Sequence, residues 1–263
     1  MNPEDEEKTS FITPGGTFCF RRMPEGLRNA GSTFSRMSDE IFKEQKKSKN
    51  VVVYVDDIVV VSNKKETHIE DLKQTFVNLR KSGLRLNPEK CIFGIMQGKL
   101  LGCLVSARGI EANPEKIAAI TNMRPPSSRK QVQRLTGRVA ALSRFIARSA
   151  EKGLPFFRVL KEAHHFQWGP EQQKAFDSLK DYLTKLTTLV KPTHNAVLML
   201  YLAASPVAVS AVLVEEKEYE NRLRQFLIYL VSEALSGAKL NYSELEKIAY
   251  IVLMASRKLK HYF

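Results

Sequence analysis

Val51-Val-Val-Tyr-Val-Asp-Asp-Ile-Val-Val-Val61 places two carboxylates between two β-branched runs. Such runs favour strands. Burying two unpaired charges in mid-strand would be prohibitive, so Asp56 and Asp57 are expected together at the turn of a tight hairpin. A rigid hairpin tip that presents carboxylate oxygens suits hard divalent cations, which prefer oxygen ligands. Asp is also a common polar turn residue, and the spacing alone leaves that alternative open.

The surrounding chain has 263 residues, with 41 Lys plus Arg against 28 Asp plus Glu, a formal charge of +13. At 43% hydrophobic and 26% charged it can bury a sizeable core, which excludes a disordered tail. Length alone fits one to two domains of about 100–200 residues each. The surplus positive charge suits a polyanion such as nucleic acid or an anionic membrane surface, with plain solubility as the alternative. Cys19, Cys91 and Cys103 form no C-x-x-C pair, and the five histidines show no ligand spacing with them, so neither a disulfide framework nor a zinc site is expected. The first residues, Met1 to Lys8, lack the apolar segment of a signal peptide. Ala196 to Val214 carries no charge but is interrupted at Ser205-Pro206, which predicts two buried strands rather than a membrane span.

Punctuation along the chain predicts an α+β protein in several pieces. A turn at Pro14-Gly15-Gly16 precedes a strand over Phe18-Cys19-Phe20. Phe34, Met37 and Ile41 predict a helix after Asn29-Ala30-Gly31. Ile69, Leu72, Phe76 and Leu79 predict another that stops at Gly83. Leu100 to Val105 reads as one strand with a turn on each side. Pro125-Pro126 followed by Ser128-Arg-Lys-Gln131 reads as a capping box opening a helix and a second structural unit. A helix follows Gly169-Pro170 with Phe176, Leu179 and Leu183 on one face. A strand over Phe226 to Val231 and a helix from about Tyr242 to Tyr262 complete the pattern.

From Arg124 to Arg148 there are seven basic residues and no acidic one. At about 100° per residue, Lys130, Arg134, Arg138, Arg144 and Arg148 fall within about 120° of arc, opposite Val132, Leu135, Val139, Leu142 and Ile146. A solvated face usually mixes signs, because like charges at i,i+4 repel, so the stripe is a candidate phosphate contact.

Tyr54-Val55-Asp56-Asp57 resembles the Y-x-D-D box of reverse transcriptases. Phe11 to Gly15 and Met23-Pro24-Glu25-Gly26-Leu27-Arg28-Asn29-Ala30-Gly31-Ser32-Thr33-Phe34 resemble the substrate-contacting block that precedes that box. Leu86 to Phe93, Leu101-Gly102, Ala112 to Ile117, Gln133 to Arg138 and the series Phe166, Trp168, Gln172, Phe176, Leu179 match the following blocks in order. The chain is similar throughout to the polymerase and connection region of gypsy-type, plant-like LTR retrotransposon polyproteins. The resemblance implies a right-hand palm and thumb fragment, a connection, and an incomplete RNase H-like α/β module. The corresponding bounds are 1–122 for fingers and palm, 123–165 for a thumb-like helical region, 166–195 for the connection and 196–263 for the RNase H-like part.

What the resemblance implies for chemistry is RNA-directed DNA polymerisation, a two-metal in-line displacement with Mg²⁺ or Mn²⁺. Asp56 and Asp57 inherit the metal-ligand role, Asp56 the more directly. Tyr54, Met23, Pro24, Glu25 and Gly26 border the nucleotide and primer terminus, Leu101-Gly102 grips the primer, and Lys130 to Arg148 touches the duplex. The implied partners are an RNA template with its DNA primer, dNTPs, and the rest of a polyprotein including a downstream RNase H and integrase. The implied setting is a cytoplasmic virus-like particle or the nucleus, with no membrane.

Departures from the family qualify this. The family's first metal-binding aspartate lies before the position of Met1, so the isolated chain is expected not to polymerise. Glu25 stands where Phe or Gln is usual, and a carboxylate beside a triphosphate repels it. In the RNase H-like part, Ala203 and Ile248 stand at the positions of the first two metal-binding acids, and Phe263 precedes the third, so RNA cleavage is not expected. A non-catalytic template–primer-binding module and a decayed element are the alternative readings.

Overall fold

The computed structural model describes residues 1–62, 64–161 and 166–262; His164, His165 and Phe263 lie outside them. Internal packing separates the chain into Met1–Phe93 and Gly94–Phe263, and Pro125-Pro126 lies inside the second unit.

In the first unit a short α1 (Pro3–Glu6) leads into an antiparallel hairpin of β1 (Phe11–Thr13) and β2 (Gly16–Phe18), closed by Pro14-Gly15. The strand thus begins and ends two residues before the expected 18–20, because Thr13 pairs with Gly16 as soon as the two-residue turn closes. α2 (Ala30–Ile41) forms where Phe34, Met37 and Ile41 predict a helix, yet Met37 is exposed and Ser38 is the buried residue of that helix. α3 (Lys43–Lys47), the hairpin β3 (Val51–Tyr54) and β4 (Asp57–Val60), and α4 (His68–Lys81) follow. α4 ends as expected, with Ser82 as cap and Gly83 beyond it at φ 71°. Its core is small: Phe42, Val51 and Leu79, with Val53, Ile58, Val60 and Phe76 packed on them.

The second unit opens with an antiparallel meander of β5 (Gln97–Leu100), β6 (Cys103–Ser106) and β7 (Gly109–Ala112). The single strand expected over Leu100 to Val105 is therefore a hairpin turning at Leu101-Gly102, and Gly98 sits within a strand rather than at a turn. Both turn residues have positive φ, 50° and 73°, the signature of a type I′ turn whose twist matches the flanking strands. Asn113-Pro114 caps α5 (Pro114–Thr121), with the Asn113 side chain accepting from the Glu115 N–H at 2.9 Å. Asn87-Pro88-Glu89-Lys90 repeats that tetrapeptide and that cap on a single 3₁₀ turn.

α6 (Arg129–Leu142), α7 (Ser149–Lys161) and α8 (Pro170–Leu183) then pack around one core that contains Val132, Leu135, Val139, Leu142, Phe156, Phe176, Leu179 and Leu183. Ser128 caps α6 as expected, its hydroxyl accepting from the Gln131 N–H, but the reciprocal half of the expected capping box is displaced by one residue, with Gln131 Oε1 accepting from the Ser127 N–H at 2.9 Å. The uncharged stretch after residue 196 forms β8 (Leu198–Ala204) and the start of β9 (Ala208–Tyr219), as the Ser205-Pro206 break predicts; β10 (Arg222–Ala234) completes an antiparallel sheet in the order β10-β9-β8. α9 (Glu244–Lys258) packs on this sheet, and a 3₁₀ turn over Lys260–Tyr262 takes the place of the helix end expected there. Leu189-Val190 joins the two halves of the unit, bridging to Ile110 and donating from Val190 N–H to the Leu227 carbonyl. Gly109 makes this possible: its φ is 133°, and a Cβ there would run into the Leu189 carbonyl.

Candidate metal and nucleic-acid site

Strand alternation fixes how the carboxylate hairpin presents its side chains. Val51, Val53, Ile58 and Val60 share the face that packs on the unit's core, so Val52, Tyr54, Asp57 and Val59 share the other. Tyr54 pairs with Asp57, which leaves Val55 and Asp56 as the two turn residues. The expectation that both aspartates form the turn is corrected by one position: Asp56 is the second turn residue and Asp57 is the first residue of β4. Closure at the Tyr54–Asp57 pair forces Val55 to φ 50°, a conformation rare for a β-branched residue. Tyr54 is 54% exposed, and both aspartates are exposed. Neither forms an ion pair among the described residues, so four carboxylate oxygens are available to a hard cation. Among the described residues no group of three or more His, Cys, Asp or Glu side chains comes together.

Met23, Pro24, Glu25 and Gly26 lie in the same unit on the bend before α2, with Gly26 at φ 91°. Met23 and Glu25 are exposed, and Glu25 has no ion-pair partner among the described residues. In the second unit, Leu101 projects from its turn, 56% exposed. Sequence reasoning missed Lys116, whose ammonium lies where a Cβ on Gly102 would fall. The only signal for it is its place in the second Asn-Pro-Glu-Lys box.

The basic stripe breaks up. α6 ends at Leu142, followed by a 3₁₀ turn over Ser143–Phe145, so Arg144 and Arg148 are not on that helix. No Gly or Pro marks the stop; Arg148 itself takes φ 54° before α7 begins. Lys130 and Arg134 remain exposed on α6. Arg138 donates to the Ala119 carbonyl near the end of α5. Arg144 is half-buried over the Tyr229 ring and donates to its hydroxyl at 3.4 Å. Burial works against the Arg144 charge and the Tyr229 hydroxyl outweighs it, so its pKa is raised. Arg148 forks onto Glu151 with two 2.7 Å contacts, which raise its pKa. The expected apolar residues are all buried, but only Val132, Leu135, Val139 and Leu142 lie on α6, and Ile146 is extended backbone after the 3₁₀ turn.

In the last sheet Ala203 is exposed opposite Ser210, out of phase with Leu200, Leu202 and Ala204, which pack toward the core shared with α9. Ile248 is half-buried on α9. Glu246 is committed to the helix cap, its carboxylate accepting from the Ser243 N–H at 2.7 Å and hydroxyl at 2.9 Å. Those bonds hold its pKa below the ordinary value.

A family model described as reverse transcriptase (RNA-dependent DNA polymerase) matches residues 1–122. One described as an RNase H-like domain found in reverse transcriptase matches residues 168–263. The retrovirus-related Pol polyprotein from transposon opus of Drosophila melanogaster is 31% identical over 273 residues, covering 100% of this chain and 27% of that polyprotein. The transposon Tf2-3 polyprotein of Schizosaccharomyces pombe is 29% identical over 258 residues, covering 98% of this chain and 19% of the polyprotein. The chain thus spans little more than a quarter of these relatives at most. Among solved structures, the foamy viral protease-reverse transcriptase in complex with RNA/DNA hybrid superposes with a TM-score of 0.85 at 20% identity, over 98% of this chain and 34% of that one. The same protein in complex with dsDNA gives a TM-score of 0.82, over 98% and 54%. The fold is accordingly that of a reverse transcriptase with an RNase H-like module, mixed helix and sheet as the sequence predicts. Residues 1–122 are thus similar to reverse transcriptases and residues 168–263 to the RNase H-like domain found in them, and the relatives that match the chain include transposon polyproteins.

Proposed function

We propose that this chain is part of an RNA-directed DNA polymerase of a gypsy-type, plant-like retrotransposon, and that by itself it holds a template–primer duplex without extending it. The observation that carries the reading is the hairpin: two exposed, unpaired carboxylates at the end of an apolar β-ribbon, within the segment that matches reverse transcriptases. Asp56 and Asp57 would hold Mg²⁺ or Mn²⁺, which when bound supplies charge stabilisation and an activated primer hydroxyl. The β-branched base fixes the tip. Tyr54, beside Asp57 on the open face, offers a ring against the primer terminus, and Met23 to Gly26 border the dNTP. Leu101-Gly102, with Lys116 beneath it, faces the primer strand, while Lys130 and Arg134 contact phosphates without reading sequence. Two cations in line need a bridging carboxylate besides this pair, hence duplex binding without synthesis.

The bounds at 1–122, 123–165, 166–195 and 196–263 remain part of this reading, as does a place beside RNase H and integrase in a virus-like particle or the nucleus. Ala203 and Ile248 cannot ligate a metal, so the last module acts as a tether and does not cut RNA. Mn²⁺ titration followed by water proton relaxation tests the hairpin. Asp56→Asn with Asp57→Asn is expected to abolish the enhancement seen with the native chain. Equal enhancement in both removes the metal role from the hairpin.

A further inference from the structure

β9 and β10 run past the edge of their sheet. β8 begins at Leu198, which pairs with Glu215, so Glu216–Tyr219 and Arg222–Gln225 continue as a two-stranded ribbon closed by Glu220-Asn221. Both turn residues have positive φ, 51° and 60°, a type I′ turn on a ribbon about 14 Å long. Alternation sorts its side chains by sign. Lys217, Tyr219, Arg222, Arg224 and Phe226 share one face, and Glu216, Glu218, Leu223 and Gln225 share the other.

The cationic face is organised by its aromatic rings. Arg224 lies 4.8 Å over the Tyr219 ring and Lys217 lies 5.6 Å over Phe226, while the two rings meet edge to face at 6.2 Å. Rings so covered serve as platforms for the cations rather than for bases. Lys217 is tied to the buried Glu215 at 3.1 Å and is neutralised. Arg224 pairs with Glu220 at 3.2 Å, an exposed pair of small worth that a phosphate can displace. Arg222 is exposed and has no ion pair among the described residues. Glu215 and Glu220 thus offset Lys217 and Arg224, while Glu216 and Glu218 point away and Glu216 accepts from Gln225 at 2.8 Å, which leaves Arg222 as the uncompensated cation of this face among the described residues.

We infer that this ribbon is a second nucleic-acid contact, in which Arg222 and Arg224 grip the phosphate backbone of a duplex. The partner follows from charge complementarity: the exposed, unpaired Arg222 and the Arg224 guanidinium held over the Tyr219 ring suit phosphate, and the Tyr219 and Phe226 rings each already carry a cation. The inference rests on the proposed reading that the chain holds template–primer.

The test is fluorescence anisotropy of an RNA/DNA hybrid with the full chain across a salt series. Arg222→Gln with Arg224→Gln is expected to weaken binding and to flatten the plot of log affinity against log salt by about one to two. Glu216→Gln with Glu218→Gln, changed on the other face, is expected to keep the native slope. Circular dichroism melting of each variant checks that it is folded. An unchanged slope in the arginine variant, with native binding intact, overturns the ribbon contact alone, as does an equal change in the glutamate variant. Absence of binding by the native chain overturns both the ribbon and the reading beneath it.

Discussion

Val55 and Leu101 hold left-handed backbone at the tight turns of the β3–β4 and β5–β6 hairpins, and neither is a residue type that adopts it readily. For an L-residue that conformation costs roughly 1–2 kcal/mol. Leu101 is more than half exposed, so little packing is lost by replacing it, and Asn is a preferred first residue of a type I′ turn. Leu101→Asn is therefore expected to raise the melting temperature, by about 1 kcal/mol in stability, and to weaken hybrid binding if the side chain meets the primer. Thermal unfolding checks the first effect and anisotropy the second. The β-branched runs around Asp56 and Asp57 made this hairpin legible in the sequence. The position of its turn was not, because no Gly or Asn marks Val55, and pairing of Tyr54 with Asp57 decides it.

At the scale of the element, α6 shows how far periodicity reaches. Its buried face could be read residue by residue, since apolar spacing reports packing directly. Its cationic face could not, since the use of each arginine depends on partners distant in sequence: Ala119 for Arg138, Tyr229 for Arg144. The helix also stops at Leu142 without a breaker, as adjacent Phe145 and Ile146 both turn into the core. Arginines that looked equivalent thus separate into two kinds. Arg138→Ala is expected to cost about 1.5–3 kcal/mol of stability, the range for a hydrogen bond from a charged donor, with the salt dependence of hybrid binding unchanged. Arg134→Ala is expected to leave stability within about 0.5 kcal/mol and to lower the salt slope by about one. Urea unfolding and a salt titration of both variants separate these outcomes.

Over the whole molecule, the +13 charge is not one basic face. Part of it is used within the fold, at Arg138, Arg144 and Arg148. The exposed remainder includes Lys130 and Arg134 on α6 and Arg222 and Arg224 on the ribbon. The ribbon was not legible because its residues alternate in sign along the sequence and segregate only when β9 and β10 pair. The two units also differ in how they are built: a few residues such as Phe42, Val51 and Leu79 form the core of the first, while the second has extensive helical and sheet cores. The carboxylates of the β3–β4 hairpin, the proposed metal ligands, thus sit on the unit with the smaller core. Primer extension by the chain as it stands, on an annealed RNA template and DNA primer with dNTPs and either Mg²⁺ or Mn²⁺, bears most directly on its proposed role. The primer should be retained in complex yet remain at its original length; template-directed lengthening that disappears in Asp56→Asn would show that the chain is a complete polymerase site and that its proposed role as a non-extending duplex holder is wrong.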